Sequence, residues 1–392
     1  MLQPDIATLS TTWNYPTKVV YGAGSLAKVA RACDQAGIAR PLVVTDPGLA
    51  ALPMTEALGA ILREAGREAG LFTDVRPNPI AANVEAGVRA LRQGGHDGVV
   101  ALGGGSALDC GKVIAFMAGQ DRPLWDFEDV GDWWTRANAD GIAPIVAIPT
   151  TAGTGSEVGR AGVITDEATH TKKIIFHPRM MPSTAILDPE LTIGLPKTLT
   201  AATGMDALAH CLEAYCAPPW HPMAEGIAIE GMRLVKEALP RAFAHGADLE
   251  ARGMMLAAAA MGATAFQKGL GAIHSLSHPI GALYDTHHGL TNAVVMPYVL
   301  VYNRRQIEPK IERLAAWLGI AGGFKGFLDW ILALRAELEV PHTLNDLGVP
   351  TDRFDALAAM AVADPTAGGN PEPLDRAGAN RLLAEAYSGV GL

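Results

Sequence analysis

The chain has 392 residues, 49% of them hydrophobic, which is more than one core usually serves and ample for two. Its 31 basic and 41 acidic residues give a formal net charge of −10, and no basic stripe stands out, which excludes a nucleic-acid partner. Cys33, Cys110, Cys211 and Cys216 fit no CxxC spacing, the opening residues lack a basic and then apolar leader, and the uncharged run Gly253 to Gln267 is too short to span a bilayer. A soluble protein of a reducing cytoplasm is expected.

From Tyr15 to about Asp188, short β-branched runs alternate with Ala-rich stretches, the pattern of an α/β domain built on a mainly parallel sheet. Strands are expected at 17–21, 41–45, 70–73, 97–102 and 143–148, and helices at 25–36, 54–66, 81–94 and 106–118. Three strand ends carry chemistry. After PLVVT stands Asp46, an acid able to hold ribose hydroxyls and to repel a 2′-phosphate, which favours NAD over NADP. After DGVVAL stand Gly103, Gly104, Gly105 and Ser106, a glycine turn opening a helix, where backbone amides can face a pyrophosphate. Asp109 lies in the first turn of that helix and either complements its dipole or meets the cofactor. The third end, Pro149 to Glu157, places the hydroxyls of Thr150, Thr151, Thr154 and Ser156 among two glycines, a polar surface where open α/β sheets bind ligands. Thr154 and Glu157 also have capping-box spacing, so a helix start is expected there.

Beyond Asp188-Pro189 the strand signals fade and helical periodicity takes over, so the expected domains are 1–189 and 190–392. Pro196, Pro218, Pro219, Pro222, Pro240, Pro279 and Pro297 are expected to punctuate the helices. The tail from Asp364 reads as a loop without chemistry before a last amphipathic helix. In GMDALAHCLEAY, Asp206 and His210 stand four apart on one helical face; His274, His278, His287 and His288 follow within one later stretch. A carboxylate and imidazoles from two helical segments suit one divalent transition ion, iron or zinc, with Asp206, His210, His274 and His288 as the ligands.

Together GGGSALD, PTTAGTGSE, GMDALAH and HSLSHPIGALYDTHHG, in this order, resemble the iron-containing alcohol dehydrogenase family over nearly the whole chain. The resemblance implies a Rossmann-like α/β N-terminal domain and an all-α C-terminal domain, a dehydroquinate synthase-like architecture with the active site in the cleft between them. It implies the same four metal ligands, with His278 beside the nicotinamide and substrate. It also implies the pyrophosphate turn at Gly104, Gly105, Ser106 and Asp109, cofactor contacts from Thr150, Thr151 and Thr154, the ribose acid Asp46 and a cofactor lysine at Lys173.

The function expected is hydride transfer between NAD(H) and a small primary alcohol or aldehyde, dependent on Fe2+ or Zn2+, in a homo-oligomer such as a dimer that needs neither nucleic acid nor membrane. A carboxylate-ended substrate such as 4-hydroxybutyrate is the alternative, with Arg160, Lys268 and His177 as cations for the carboxylate. A dehydroquinate synthase-like lyase and a metallohydrolase are the readings from other classes.

Overall fold

The computed structural model describes residue 15, residues 17–169 and residues 171–392. They form two compact units, Pro16–Leu195 and Pro196–Leu392. In the first, strands and helices alternate: β1 (Lys18–Tyr21), α1 (Val29–Ala36), β2 (Pro41–Val44), α2 (Pro47–Ala50), α3 (Pro53–Glu64), β3 (Gly70–Phe72), α4 (Ala81–Gln93), β4 (Gly98–Gly103), α5 (Gly105–Met117), β5 (Ile145–Pro149), β6 (Ala161–Asp166), β7 (Thr171–Phe176) and β8 (Thr184–Leu187). The main sheet is six-stranded among the described residues, in the order β1-β8-β5-β4-β2-β3. All its pairings are parallel.

Strands β2, β4 and β5 are buried along their whole length, as continuous apolar runs require when helices cover both faces of a sheet. Side chains alternate between two cores. Leu42, Val44, Val99, Ala101 and Ile145 join α5 residues such as Val113 and Phe116 on one face. Val43, Val100, Leu102, Val146 and Ile148 join Val29 and Leu58 on the other. The chain runs from β2 outward to β3 and returns to β4 on the opposite side of β2, which makes the β2–β4 boundary the switch point where such sheets bind ligands.

The expected strands and helices of this unit recur with shifts of a residue or two, except that the helix expected at 25–36 opens with a 3-10 turn, Ser25–Lys28, before α1; β8 and the antiparallel pair β6–β7 were not anticipated. Strand β8, four buried residues long, follows closely on the β6–β7 pair with no α-helix between to mark it as a strand of the main sheet. In β6 and β7 much of the surface is only half-buried, so no long apolar run marks them. The expected helix at Thr154 is a 3-10 turn, Ser156–Val158, entered through Gly155 at φ +63° without a side-chain cap.

The second unit comprises α6 (Lys197–Cys216), α7 (Pro222–Ala244), α8 (Leu249–Ala265), α9 (Ala272–Tyr284), α10 (His288–Trp317), α11 (Gly323–Glu337), α12 (Phe354–Ala363) and α13 (Arg376–Ser388). Helix α6 is its axis: it packs on α7, α8 and α10 and is buried continuously from Gly204 to Cys216. No helix among the described residues is long and apolar enough to cross a membrane.

Three of the expected breaks lie inside helices: Pro240 in α7, Pro279 in α9 and Pro297 in α10. An interior proline costs about 3 kcal/mol or more, whereas each large apolar side chain buried contributes roughly 1.5–3 kcal/mol. Around Pro297 the neighbours Val294, Val295, Met296 and Tyr298 are all buried, so packing outweighs the lost backbone bond.

Gly289 sets how closely α10 approaches α6. A Cβ there would lie 2.1 Å from the carbonyl oxygen of Ala202, a backbone atom that cannot step aside. Gly289→Ala is expected to destabilise the protein by on the order of 1–3 kcal/mol, although alanine is the better helix former by roughly 1 kcal/mol. Thermal melts beside Gly194→Ala, where nothing lies within 4 Å, provide the check: the first variant melts lower and the second stays near the parent.

Candidate metal centre and dinucleotide turn

Helical register places Asp206, His210 and Glu213 at i, i+4 and i+7 of α6, on one face. Helix α9 brings His274 and His278, again one turn apart, and the first residue of α10 is His288. Asp206, His210 and His274 are 4%, 4% and 1% exposed. One donor atom from each of the three lies within 4.8 Å of the other two. Asp206 Oδ1 is 3.9 Å from His210 Nε2, 3.8 Å from His274 Nε2 and 3.6 Å from His288 Nε2. The rings of His210 and His274 stack at 4.7 Å, and those of His278 and His288 at 5.5 Å.

A buried carboxylate whose ion-pair partners among the described residues are imidazoles is costly to keep charged unless a cation joins it. The Asp206 oxygen and the nitrogens of His210 and His274 form one mutually close group that fits a divalent transition ion, with His288 Nε2 near the same oxygen as a fourth donor; an ion that takes five or six ligands would keep a position open there.

Two carboxylates that sequence reasoning passed over hold the histidines. Glu213 Oε2 lies 2.6 Å from His274 Nδ1, and Glu213 Oε1 accepts from the amide of Ile273 at 2.7 Å. With Nδ1 donating to Glu213, the Nε2 lone pair of His274 is turned toward Asp206. Burial by itself would push the His274 imidazole down; the Glu213 charge and hydrogen bond outweigh it and raise it. Asp364 Oδ2 is 2.8 Å from His278 Nδ1, while its Oδ1 accepts from the amide of Thr366. Burial would raise the Asp364 carboxyl, but His278 and Thr366 hold it below the usual range.

The tail therefore does have a part in the site. Within it Asn370 Oδ1 also accepts from the amide of Ala272 at 3.1 Å and from Asn303 Nδ2 at 2.9 Å, which anchors the start of α9. The signal for Glu213 was present, since it completes the heptad face begun by Asp206 and His210. None existed for Asp364 or Asn370, which meet α9 only through the fold.

In the first unit the ends of β2, β4 and β5 lie side by side. Gly103 has φ +149°, and a Cβ there would sit 2.6 Å from Ala107 Cβ and 3.7 Å from Asp46 Oδ2. On Gly105 a Cβ would sit 2.6 Å from Thr154 Oγ1, and on Gly104 3.4 Å from Thr151 Oγ1. Helix α5 starts here with no side chain capping its N-terminus, so its first amides are open to an anion. This narrow, amide-lined turn fits a pyrophosphate. Asp46 caps α2 by accepting from the amide of Leu49 at 3.0 Å. Thr150 is buried and its amide donates to the carbonyl of Gly103 at 3.0 Å.

Two expected cofactor residues have their charges engaged inside the protein. Asp109 accepts from Ser156 Oγ, from the amide of Val163 at 3.1 Å and from Lys112 Nζ at 3.2 Å. Buried Lys112, pushed down by desolvation, donates in turn to the carbonyls of Ser156 and Ala161. The group ties α5 to β6 and to the threonine-rich turn. Lys173 pairs with Asp166 at 3.0 Å and Glu128 at 3.3 Å, above the Trp125 ring.

Among the cations considered for a substrate carboxylate, His177 is buried, accepts from the amide of Arg179 and packs on Phe116 and Trp134; burial and Arg179 push it toward the neutral form. Lys268 is buried too, donating to Glu225 Oε1 at 2.8 Å and to the carbonyl of Tyr215 at 3.0 Å. Lys310 shares that carboxylate oxygen at 2.6 Å. Both are core groups rather than surface charges. Arg160 lies over the Phe176 ring at 5.3 Å.

The model for iron-containing alcohol dehydrogenases matches residues 16–189, and the model for the C-terminal part of the Fe-containing alcohol dehydrogenase family matches residues 200–387. The chain belongs to the iron-containing alcohol dehydrogenase family. It is thus an oxidoreductase that moves a hydride between NAD(H) and a small alcohol or aldehyde with a divalent metal. Within the family it is 38% identical to the 4-hydroxybutyrate dehydrogenase of Cupriavidus necator over 383 residues, 95% of this chain and 98% of that one. With the NAD-dependent methanol dehydrogenase of Bacillus methanolicus the identity is 36% over 372 residues, 92% of this chain and 96% of the other. The crystal structure of a 1,3-propanediol oxidoreductase superposes with a TM-score of 0.91 at 35% identity, covering 96% of this chain and 100% of that one.

The turn after β5 ends on Glu157, which is 1% exposed and whose Oε2 has no hydrogen-bond partner. Burial pushes its carboxyl up to about 7, against opposition from a backbone bond and from Lys112. Because the folded value lies above the ordinary glutamate value of 4.5, the stability contributed by this group is complete below about 4.5 and lost as pH rises through about 7. Glu157→Gln removes that dependence. Thermal melts at pH 5 and pH 8 should show the variant gaining on the parent by the equivalent of about 2–3 kcal/mol at the higher pH.

Proposed function

We propose that Asp206, His210, His274 and His288 hold the metal of a primary-alcohol dehydrogenase, with Fe2+ as the working ion. The observation that carries this is the placing of three imidazole Nε2 atoms within 3.9 Å of Asp206 Oδ1, supported by Glu213, which holds the Nδ1 edge of His274 so that Nε2 faces Asp206. When bound, the divalent ion supplies Lewis-acid polarisation of the alcohol or aldehyde oxygen.

The chain's own residues supply the rest. Asp364 accepts the Nδ1–H hydrogen bond of His278, which leaves His278 Nε2 to accept the proton an alcohol gives up and to return it in the reverse direction. Gly103, Gly104, Gly105 and Ser106 with the amides of α5 take the pyrophosphate; Thr150, Thr151 and Thr154 border that turn, and Asp46 Oδ2 beside Gly103 disfavours a 2′-phosphate and so selects NAD. Asp109 and Lys173 contribute through the elements they tie together. A reducing cytoplasm agrees with four buried free thiols, and exposed Val19 and Tyr21 on the outer strand β1 support a homodimer.

The test is metal analysis of anaerobically purified protein together with an NAD-linked assay over short alcohols, diols and ω-hydroxy acids. One divalent ion per chain is expected, with NAD preferred to NADP, and Asp206→Ala should lose both the ion and turnover while still quenching or shifting NADH fluorescence. Retention of the metal by Asp206→Ala would defeat the ligand assignment.

A carboxylate-ended substrate is the second reading, favoured by the likeness to a 4-hydroxybutyrate dehydrogenase and by Arg160, a guanidinium held over Phe176 beside the β5 turn. Arg160→Gln is then expected to raise KM for 4-hydroxybutyrate by roughly 10-fold or more and to leave butanol unchanged, as loss of a charge-assisted contact would. Equal effects on the two substrates would remove this reading.

A further inference from the structure

Asn292 follows His288 by one turn of α10 and is completely buried. Its amide Nδ2 donates to Asp206 Oδ1 at 2.8 Å and lies 3.2 Å from His288 Nε2 and 3.4 Å from His274 Nε2. The other end of the amide tells more. Asn292 Oδ1 is buried without a hydrogen-bond partner. Buried amides ordinarily satisfy both ends, so the orientation is not dictated by a partner for the oxygen. It is dictated by the carboxylate: turning the amide over would set its oxygen against Asp206 Oδ1.

We propose that Asn292 is a positioning residue of the metal centre, and the proposal rests on the assignment of Asp206, His210, His274 and His288 as ligands. A carboxylate on a free rotamer can present either oxygen in several directions. The Asn292 N–H occupies one lone pair of Oδ1 and fixes the plane of the carboxylate, which leaves the second lone pair of that oxygen directed at the centre shared with the imidazoles. Because Asn292 and His288 share α10, the same helix sets the third imidazole and the carboxylate together. Gly289 between them is what lets α10 come close enough to α6 for the 2.8 Å bond.

Asn292→Leu keeps the branched shape and the number of heavy atoms and removes the donor; Asn292→Ala removes both. The measurement is the rate at which Co2+-loaded protein surrenders its ion to an excess of chelator, followed by the visible d–d absorption, with the melting temperature of the metal-stripped protein as a control for folding. Both variants are expected to release Co2+ about 10–100-fold faster than the parent and to show a changed d–d band, with the stripped Leu variant melting near the parent. Release within about twofold of the parent in the Leu variant would reduce Asn292 to a packing residue and overturn the proposal, even if the Ala variant is too unstable to measure. Asp206→Ala separates the two layers of the argument. If it holds Co2+ as tightly as the parent, the ligand assignment falls and the role of Asn292 falls with it; if only the Asn292 variants match the parent, the assignment stands alone.

Discussion

A carboxylate withdrawn from water and faced by three imidazoles governs the helical unit. Asp206 sits in the continuously buried part of α6, where an isolated charge would be expensive. Every element around it answers that cost. Helix α9 delivers His274 already clamped by Glu213, α10 delivers His288, and the Ala202 to Gly289 approach keeps α10 against α6. The parts of the centre lie on packed helices, and His274 and His278 are oriented because Glu213 and Asp364 hold their Nδ1 atoms.

The sheet unit solves a different problem, holding an anion with backbone instead of side-chain charge. Gly103 to Gly105 give up side chains so that the start of α5 stays open, while the charged residues nearby serve to join the elements that frame it. Lys112 and Asp109 are the clearest case. They are buried next to the turn with their charges paired to each other, and they connect α5, the turn after β5 and the strand β6.

What could be read in the sequence was whatever recurs at short range. The four-residue spacing of Asp206 and His210, the glycine turn after DGVVAL and the runs of β2, β4 and β5 each carry their own signal, and each sits in the structure on the element expected for it. What could not be read depends on contacts between distant segments. Asp364 is a turn aspartate until α9 brings His278 to it, and Lys268 is a surface cation until Glu225 and Lys310 are found beside it. The internal prolines misled for the same reason: a local rule about hydrogen bonds was outvoted by burial along α10 that only the packed bundle supplies.

The close approach of Gly105 to Thr154 couples two strand ends in one direction only. An alanine at 105 would thrust its methyl to 2.6 Å from the Thr154 hydroxyl, so the threonine would have to turn away or be shortened. A smaller residue at 154 asks nothing of 105 in return, so the width of the turn is set from the β4 side.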